Sequence, residues 1–287
     1  MLSPRARLAL QVSPLALVLT FFFVLPLLFV LAVSFFQYDD FHVVPAFSLE
    51  NYADVLSAHL TYSLYGSMLK FAALTWVATL IIGFFVAYFL VFHIRNKLLA
   101  IGLFLVCTVP FWTSNIIRVI SWLPLLGKQG LINTTLMGAG LIKQPLQFLL
   151  FSDFSVVVSY VHIFTIFMIV PIFNSMSRID PALFEAARDA GMSRFSTLMT
   201  VVVPLSRNGI ALGSIFVITL VMGDFYTVKV LSGGARASIV SAIFDDISTL
   251  LFPQAAAHAV VLMIIVMIMV TLILRVVDVR KELVEQR

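Results

Sequence analysis

Long apolar runs separated by short polar punctuation dominate this chain. Six of them, 14–36, 68–92, 98–117, 155–177, 208–226 and 256–275, approach or exceed the length of about 20 predominantly apolar residues that a helix needs to cross a bilayer. They predict an all-α membrane protein of about six transmembrane helices, forming one transmembrane domain over residues 1–287. The polar segments between them leave no room for a soluble domain. The first run follows Arg5 and Arg7, as in a signal peptide, but it is too long for a signal h-region and lacks a clear small-residue cleavage site, so it reads as a retained helix.

Composition agrees with the pattern. With 61% hydrophobic residues, 11% charged ones and a mean hydropathy of +1.09, the chain carries more apolar surface than a soluble domain of 287 residues could bury. Charge adds an orientation, because Lys and Arg near helix ends are retained on the cytoplasmic side. Arg5, Arg7, Arg95, Lys97, Arg178, Arg188, Arg194, Arg207, Arg275, Arg280, Lys281 and Arg287 fall on one side of a six-span layout, and Lys70, Arg118, Lys128, Lys143, Lys229 and Arg236 on the other. Both termini are therefore expected in the cytoplasm. The net charge of +4 is mainly this topological signal, and without a basic patch bearing solvent-facing aromatics no nucleic-acid partner is expected.

Between the runs lie three outer loops and two inner ones. The first outer loop, from about 37 to 67, is acidic and aromatic (Tyr38, Asp39, Asp40, Glu50, Tyr52, Asp54); it reads equally as a solvated loop or as a contact surface for an outer partner. Its segment 47–52 can start a short helix. The second, 118–154, is broken by Pro124, Gly127, Gly130, Gly138, Gly140 and Pro145, which predicts short helices along the membrane surface, with Trp112 and Trp122 as interfacial anchors. In the fifth run, Gly209 and Gly213 are spaced to let another helix approach closely. Cys107 has no partner for an intrachain disulfide and reads as packing. His42, His59, His93, His162 and His258 lack metal-ligand spacing; His162 reads as a hydrogen-bonded packing residue.

The inner segment of about 178–206 is the most informative. Asp180 can accept from an orphan backbone N–H and Pro181 suits a first helical position, so a helix starts there. Leu183, Phe184, Ala187 and Ala190 then share one face, and Glu185, Arg188 and Asp189 another, with Glu185 and Arg188 spaced to meet. Gly191 can end this helix in the left-handed conformation, Ser193 can cap a second one, and Pro204 turns the chain into the fifth run. Helix, turn, helix is a stiff unit, able to carry a push between a partner and the fourth and fifth runs.

The same residues resemble the docking loop of importer-type ABC transporter permeases: Glu185-Ala186-Ala187, then Gly191, then Val201, Val203 and Pro204 at fixed offsets. Val201 and Val203 replace the commoner Ile and Leu, which keeps the apolar character. Residues 109–118 with Gly130-Leu131-Ile132-Asn133, and Gly223-Asp224-Phe225 with Gly233-Gly234, are similar to the spermidine/putrescine permease family. The resemblance implies a type I importer permease in a bacterial inner membrane, in contact with membrane lipid. Its partners would be a second, different permease chain, two ATP-binding cassette subunits that hold the ATP and Mg, and a periplasmic or extracellular solute-binding protein. It places Phe184, Glu185, Ala186, Ala187 and Gly191 at the ATPase, as a coupling helix between helices 4 and 5.

Residues near the outer end of the fifth run offer a candidate substrate pathway. Asp224, beside Phe225 and Tyr226, could attract a cationic amine by charge and cation–π contact. Equally, Asp224 could cap a helix or pair with Lys229 or Arg118. Gly127-Lys128 is followed by Gln129 and lacks the upstream Gly of a phosphate-binding loop, so the chain is expected neither to hydrolyse ATP nor to hold a cofactor of its own. Other small solutes, such as iron, thiamine, phosphonate or betaine, remain open. An ion-coupled secondary transporter is disfavoured by the absence of paired halves and the shortage of intramembrane carboxylates. A membrane enzyme would need a nucleophile and base at depth, and no such pair stands out.

Overall fold

The computed structural model describes residues 4–39, 42–94, 96–234 and 238–276, and of residues 4–10, 39, 97 and 276 the backbone alone. The basic residues Arg95, Arg236, Arg280, Lys281 and Arg287, and the acidic Asp40, lie outside the described residues. In chain order the helices are α1 (Pro4–Leu19), α2 (Leu25–Val33), α3 (Glu50–Ser57), α4 (His59–Phe92), α5 (Lys97–Thr108), α6 (Asn115–Ile120), α7 (Leu123–Leu126), α8 (Leu131–Gly138) and α9 (Asp153–Met176). They continue as α10 (Ala182–Asp189), α11 (Arg194–Thr197), α12 (Val203–Leu205), α13 (Arg207–Met222), α14 (Tyr226–Leu231), α15 (Ile239–Ser248) and α16 (Phe252–Val276). A short antiparallel hairpin, β1 (Gln37–Asp39) with β2 (His42–Val44), follows α2 and pairs Tyr38 with Val43.

Four of the apolar runs are single long helices: Gln11–Val33, which joins α1 to α2 through a widened π turn at Thr20–Val24, then α4, α9 and α16. The other two are bent. Leu98–Trp112 meets Asn115–Gly138 at 92°, and Arg194–Leu205 meets Arg207–Met222 at 66°, so among the described residues the count is six when each bent pair is taken as one span. The third helix therefore stops at Trp112 instead of running to 117: Pro110 lacks an N–H, the turn tightens to 3-10 over Val109–Trp112, and Thr113 is extended. The first outer loop is also shorter than its polarity suggests. Residues from His59 onward already belong to α4, and the rest is folded as hairpin and α3.

The chain divides into two compact units, residues 1–63 with 239–265 and residues 64–238 with 266–287. In the first, α3 is tied to the end of α2. The Asn51 amide donates to the Ser34 carbonyl (3.0 Å) and the Phe36 carbonyl (2.8 Å), satisfying acceptors that the helix end would otherwise leave free, while the Phe35 ring stacks on Phe47. In the same unit His258 Nδ1 lies 3.0 Å from Asp246 Oδ2, a pairing that sequence spacing had not suggested.

The second unit is organised by α9 and α13. Small residues set the approach: a Cβ on Gly209 would stand 2.4 Å from the Pro171 carbonyl oxygen, and one on Gly213 would stand 2.7 Å from Met168 Sδ. Gly83 of α4 meets Met168 in the same way, at 2.8 Å from its Cγ. The fully buried Met168 thus sits against two glycines on two helices, as expected where membrane helices pack through small residues. Trp76 Nε1 donates to Ser214 Oγ at 2.8 Å, and Lys70 pairs with Asp153 at the start of α9, fastening α4 to the pair.

Candidate functional site

The segment joining α9 to α13 is built from local signals. Asp180 Oδ1 accepts from the Ala182 N–H at 2.9 Å and Pro181 needs no partner of its own, so α10 begins where both residues allow it. At its other end Gly191 has φ of +71°, its N–H donates to the Arg188 carbonyl (2.9 Å), and the Met192 N–H reaches back to the Ala187 carbonyl (3.0 Å). This double bond pattern closes the helix and requires a left-handed residue, which only glycine adopts without strain. Ser193 Oγ then accepts from the Ser196 N–H (3.1 Å) to start α11.

Pro204 removes the N–H that the Thr200 carbonyl would have received, and the turn before it opens into a π helix over Leu198–Val202. The bend into α13 follows at once, held by the buried Ser206, whose Oγ donates to the Val202 carbonyl at 2.7 Å.

The residues assigned to docking divide into two sets. Phe184 is half-buried with its ring 4.8 Å from that of Phe92, at the end of α4, and Ala187 is buried, so these two fasten α10 to its own chain. Glu185, Ala186, Arg188 and Asp189 are exposed, as is Gly191. Among the described residues Glu185 and Arg188 form no ion pair, and both are exposed. Phe195 has no evident role from its sequence position, yet it is 68% exposed on the same loop. Its place in the first turn after the Ser193 cap is the signal that nominates it.

Near the far ends of α9 and α13 a second polar cluster forms around Asp224. Its Oδ1 accepts from the Thr227 N–H (2.9 Å) and from the Tyr160 hydroxyl (3.2 Å), and its Oδ2 from the Asn115 amide (3.5 Å). Asp224 is thus the capping residue of α14, one of the two alternatives open from sequence, and not an ion-pair partner of Arg118 or Lys229. Burial pushes its carboxyl above the usual carboxylate range, while the bonds from Thr227, Tyr160 and Asn115 pull the other way. Phe225 and Tyr226 follow it and are half-buried. Trp122 lies edge-on to His162 at 5.6 Å, which shows His162 in a ring contact, while Trp112 is 82% exposed. Among the described residues, no group of three His, Cys, Asp or Glu could hold a metal ion.

Comparison with known proteins agrees with this architecture. Residues 100–287 match the family described as "Binding-protein-dependent transport system inner membrane component". The chain is 32% identical over 256 residues to the spermidine/putrescine transport system permease protein PotB of Escherichia coli, covering 88% of this chain and 90% of that one. With the PotB protein of Haemophilus influenzae it shares 33% over 230 residues, covering 79% and 78%. Its fold is similar to two crystal structures of a bacterial ABC transporter of alginate, at 14% identity. One, with a TM-score of 0.70, covers 94% of each chain, and the other, solved with an alginate-bound periplasmic protein, has 0.73 and covers 93% and 92%.

The chain belongs to the family of binding-protein-dependent transport system inner membrane components. It is a multi-pass inner-membrane permease subunit of an ABC importer and not an enzyme, and subunits of this class work with an ATPase and a solute-binding protein.

Proposed function

We propose that this permease carries an aliphatic polyamine of the spermidine or putrescine type, driven by ATP hydrolysis on separate subunits. The observation that carries the substrate class is the likeness to the PotB proteins over most of both chains. In this reading the whole chain acts as one transmembrane domain beside a second, different permease, above two ATPase subunits and below a binding protein, with both termini in the cytoplasm. The outward face of α10 (Glu185, Ala186, Arg188, Asp189) with Gly191 and Phe195 meets the ATPase, and Phe184 holds that face in place from behind. Asp224, engaged by Thr227, Tyr160 and Asn115, serves the joint between α14 and α9 before it serves cargo.

The test is ATP hydrolysis by the chain reconstituted in lipid with its ATPase, partner permease and binding protein, with and without spermidine or putrescine. Stimulation by a polyamine-loaded binding protein is the expected result. Stimulation by another loaded solute and not by polyamines would remove the substrate class and keep the importer. Failure of any ATPase to associate would remove the docking assignment.

A further inference from the structure

α14 has six residues, fewer than the roughly 12 that an isolated helix needs to persist, so contact with its surroundings holds it in shape. Its first turn is fixed by Asp224, whose carboxylate accepts from the Tyr160 hydroxyl of α9. At its other end the Leu231 carbonyl, which a helix terminus leaves without an internal partner, accepts from the buried Ser155 Oγ at 2.9 Å. Beyond it Gly233 and Gly234 turn the chain with φ of +62° and +77°. The ring of Phe151 lies against this turn, so close that a Cβ on Gly233 would stand 2.7 Å from its Cδ1. Residues 224, 231 and 233 thus meet 160, 155 and 151 in turn, and α14 lies antiparallel to the start of α9, fastened at three places.

The three fastenings are unequal. Tyr160 and Ser155 are fully buried, and letting go of either strands a hydroxyl and its acceptor away from water. Phe151 is 58% exposed and sits at a φ of +56° between two extended residues, Leu150 and Ser152. A bulky side chain in that left-handed region is strained, and such strain persists only where surrounding contacts hold it. Here the contact is Gly233, where the missing Cβ leaves room for the ring. Release of Phe151 relaxes the backbone and breaks no side-chain hydrogen bond, so this fastening gives way before the other two.

We propose that α14 is a strap at the Asp224 end of the α9/α13 pair, hinged at Asp224 and closed by the strained catch of Phe151 on Gly233, and that it opens from its glycine end during the transport cycle. An importer must open and close each end of its path, and the elements that move are drawn from those held most weakly. Phe151 is a positioning residue in this device and touches no cargo.

The experiment is amide hydrogen exchange on the complete transporter in lipid, with its ATPase, partner permease and binding protein. Phe151→Ala is expected to speed exchange over 229–234 about tenfold while 224–228 stays within about twofold of the parent. Phe151→Gly, which adopts the left-handed conformation freely but has no ring, should do the same, and Phe151→Tyr, which keeps the ring, should retain slow exchange. In the parent, turnover with Mg-ATP should quicken exchange over 229–234 relative to the ATP-free complex. Unchanged exchange over 229–234 in both the Ala and Gly variants, or equal acceleration across 224–234, would overturn the catch. An unresponsive 229–234 segment in the parent under turnover would overturn the opening of the strap, and this arm needs no variant to assemble. None of these readouts depends on which solute is carried.

Discussion

The two polar regions attached to the α9/α13 pair solve opposite problems. At the loop end, every cap is local: Asp180, Gly191 and Ser193 satisfy backbone groups within a few residues, which leaves the side chains of Glu185, Arg188 and Asp189 exposed and uncommitted. Around Asp224 the side chains themselves are consumed, with Tyr160 and Asn115 arriving from 64 and 109 residues away. A surface whose backbone is self-sufficient can offer its side chains to another protein. One whose side chains hold the chain together cannot.

The sharpest way to break this contrast is to reverse the charge at Glu185. Glu185→Lys is expected to depress coupled uptake by roughly 100-fold, since a like charge placed against a partner costs several kcal/mol and each 1.4 kcal/mol is tenfold. Stability should move by no more than about 0.5 kcal/mol, as for other exposed positions without partners. Uptake and thermal unfolding in detergent would be measured together, and a large loss of stability would place Glu185 in the framework after all.

Asp224 should behave the other way round. Asp224→Ala removes a helix cap and leaves the buried Tyr160 hydroxyl short of an acceptor, for an expected loss of about 1–2 kcal/mol in thermal unfolding. Asp224→Asn keeps a cap and an acceptor. Because burial raises the Asp224 carboxyl in the folded state, the native protein binds that proton more tightly than the unfolded chain. Its favourable contribution is complete below the unfolded value near 3.8 and is lost as pH rises through the raised folded value. Relative to Asp224→Asn, the parent should therefore lose stability as pH climbs from about 4 toward neutrality. Parallel unfolding curves for the two proteins across that range would show that the carboxyl is not buried as described.

The smallest effect belongs to Gly191. Alanine at a φ of +71° is expected to cost about 1 kcal/mol of local stability, read as faster amide exchange in α10 with global unfolding little changed. An unchanged exchange rate would mean that the loop does not depend on this closure.

Legibility in the sequence followed the same division. The loop over 178–206 could be read residue by residue because Asp-Pro, a glycine and a serine act on neighbours two to five positions away, and each does so here. The role of Asp224 stays open in the sequence between two readings because its partners come from α6 and α9, and no spacing rule links them. Phe184 reads from sequence as a partner contact because Phe92, the ring it meets, lies on a distant helix. Hydropathy found the third apolar run but not the 92° bend within it, as summed apolarity carries no direction; Pro110 was the available mark. The start of α4 at His59 was missed for a related reason, because Thr61, Ser63 and Gly66 dilute an amphipathic stretch that tertiary packing nevertheless keeps helical.

The glycine contacts of α9 with α13 set how displacement can travel through this part of the molecule. With the Pro171 carbonyl seated against Gly209 and Met168 against Gly213, there is no slack for the two helices to slide by a fraction of a turn. They can shift past each other by a whole turn of about 5.4 Å, or move as one piece. Over the 24 residues of α9, about 36 Å of helix, the pair should act as a connecting rod, so that a push on the 178–206 loop is expected to move both helices together.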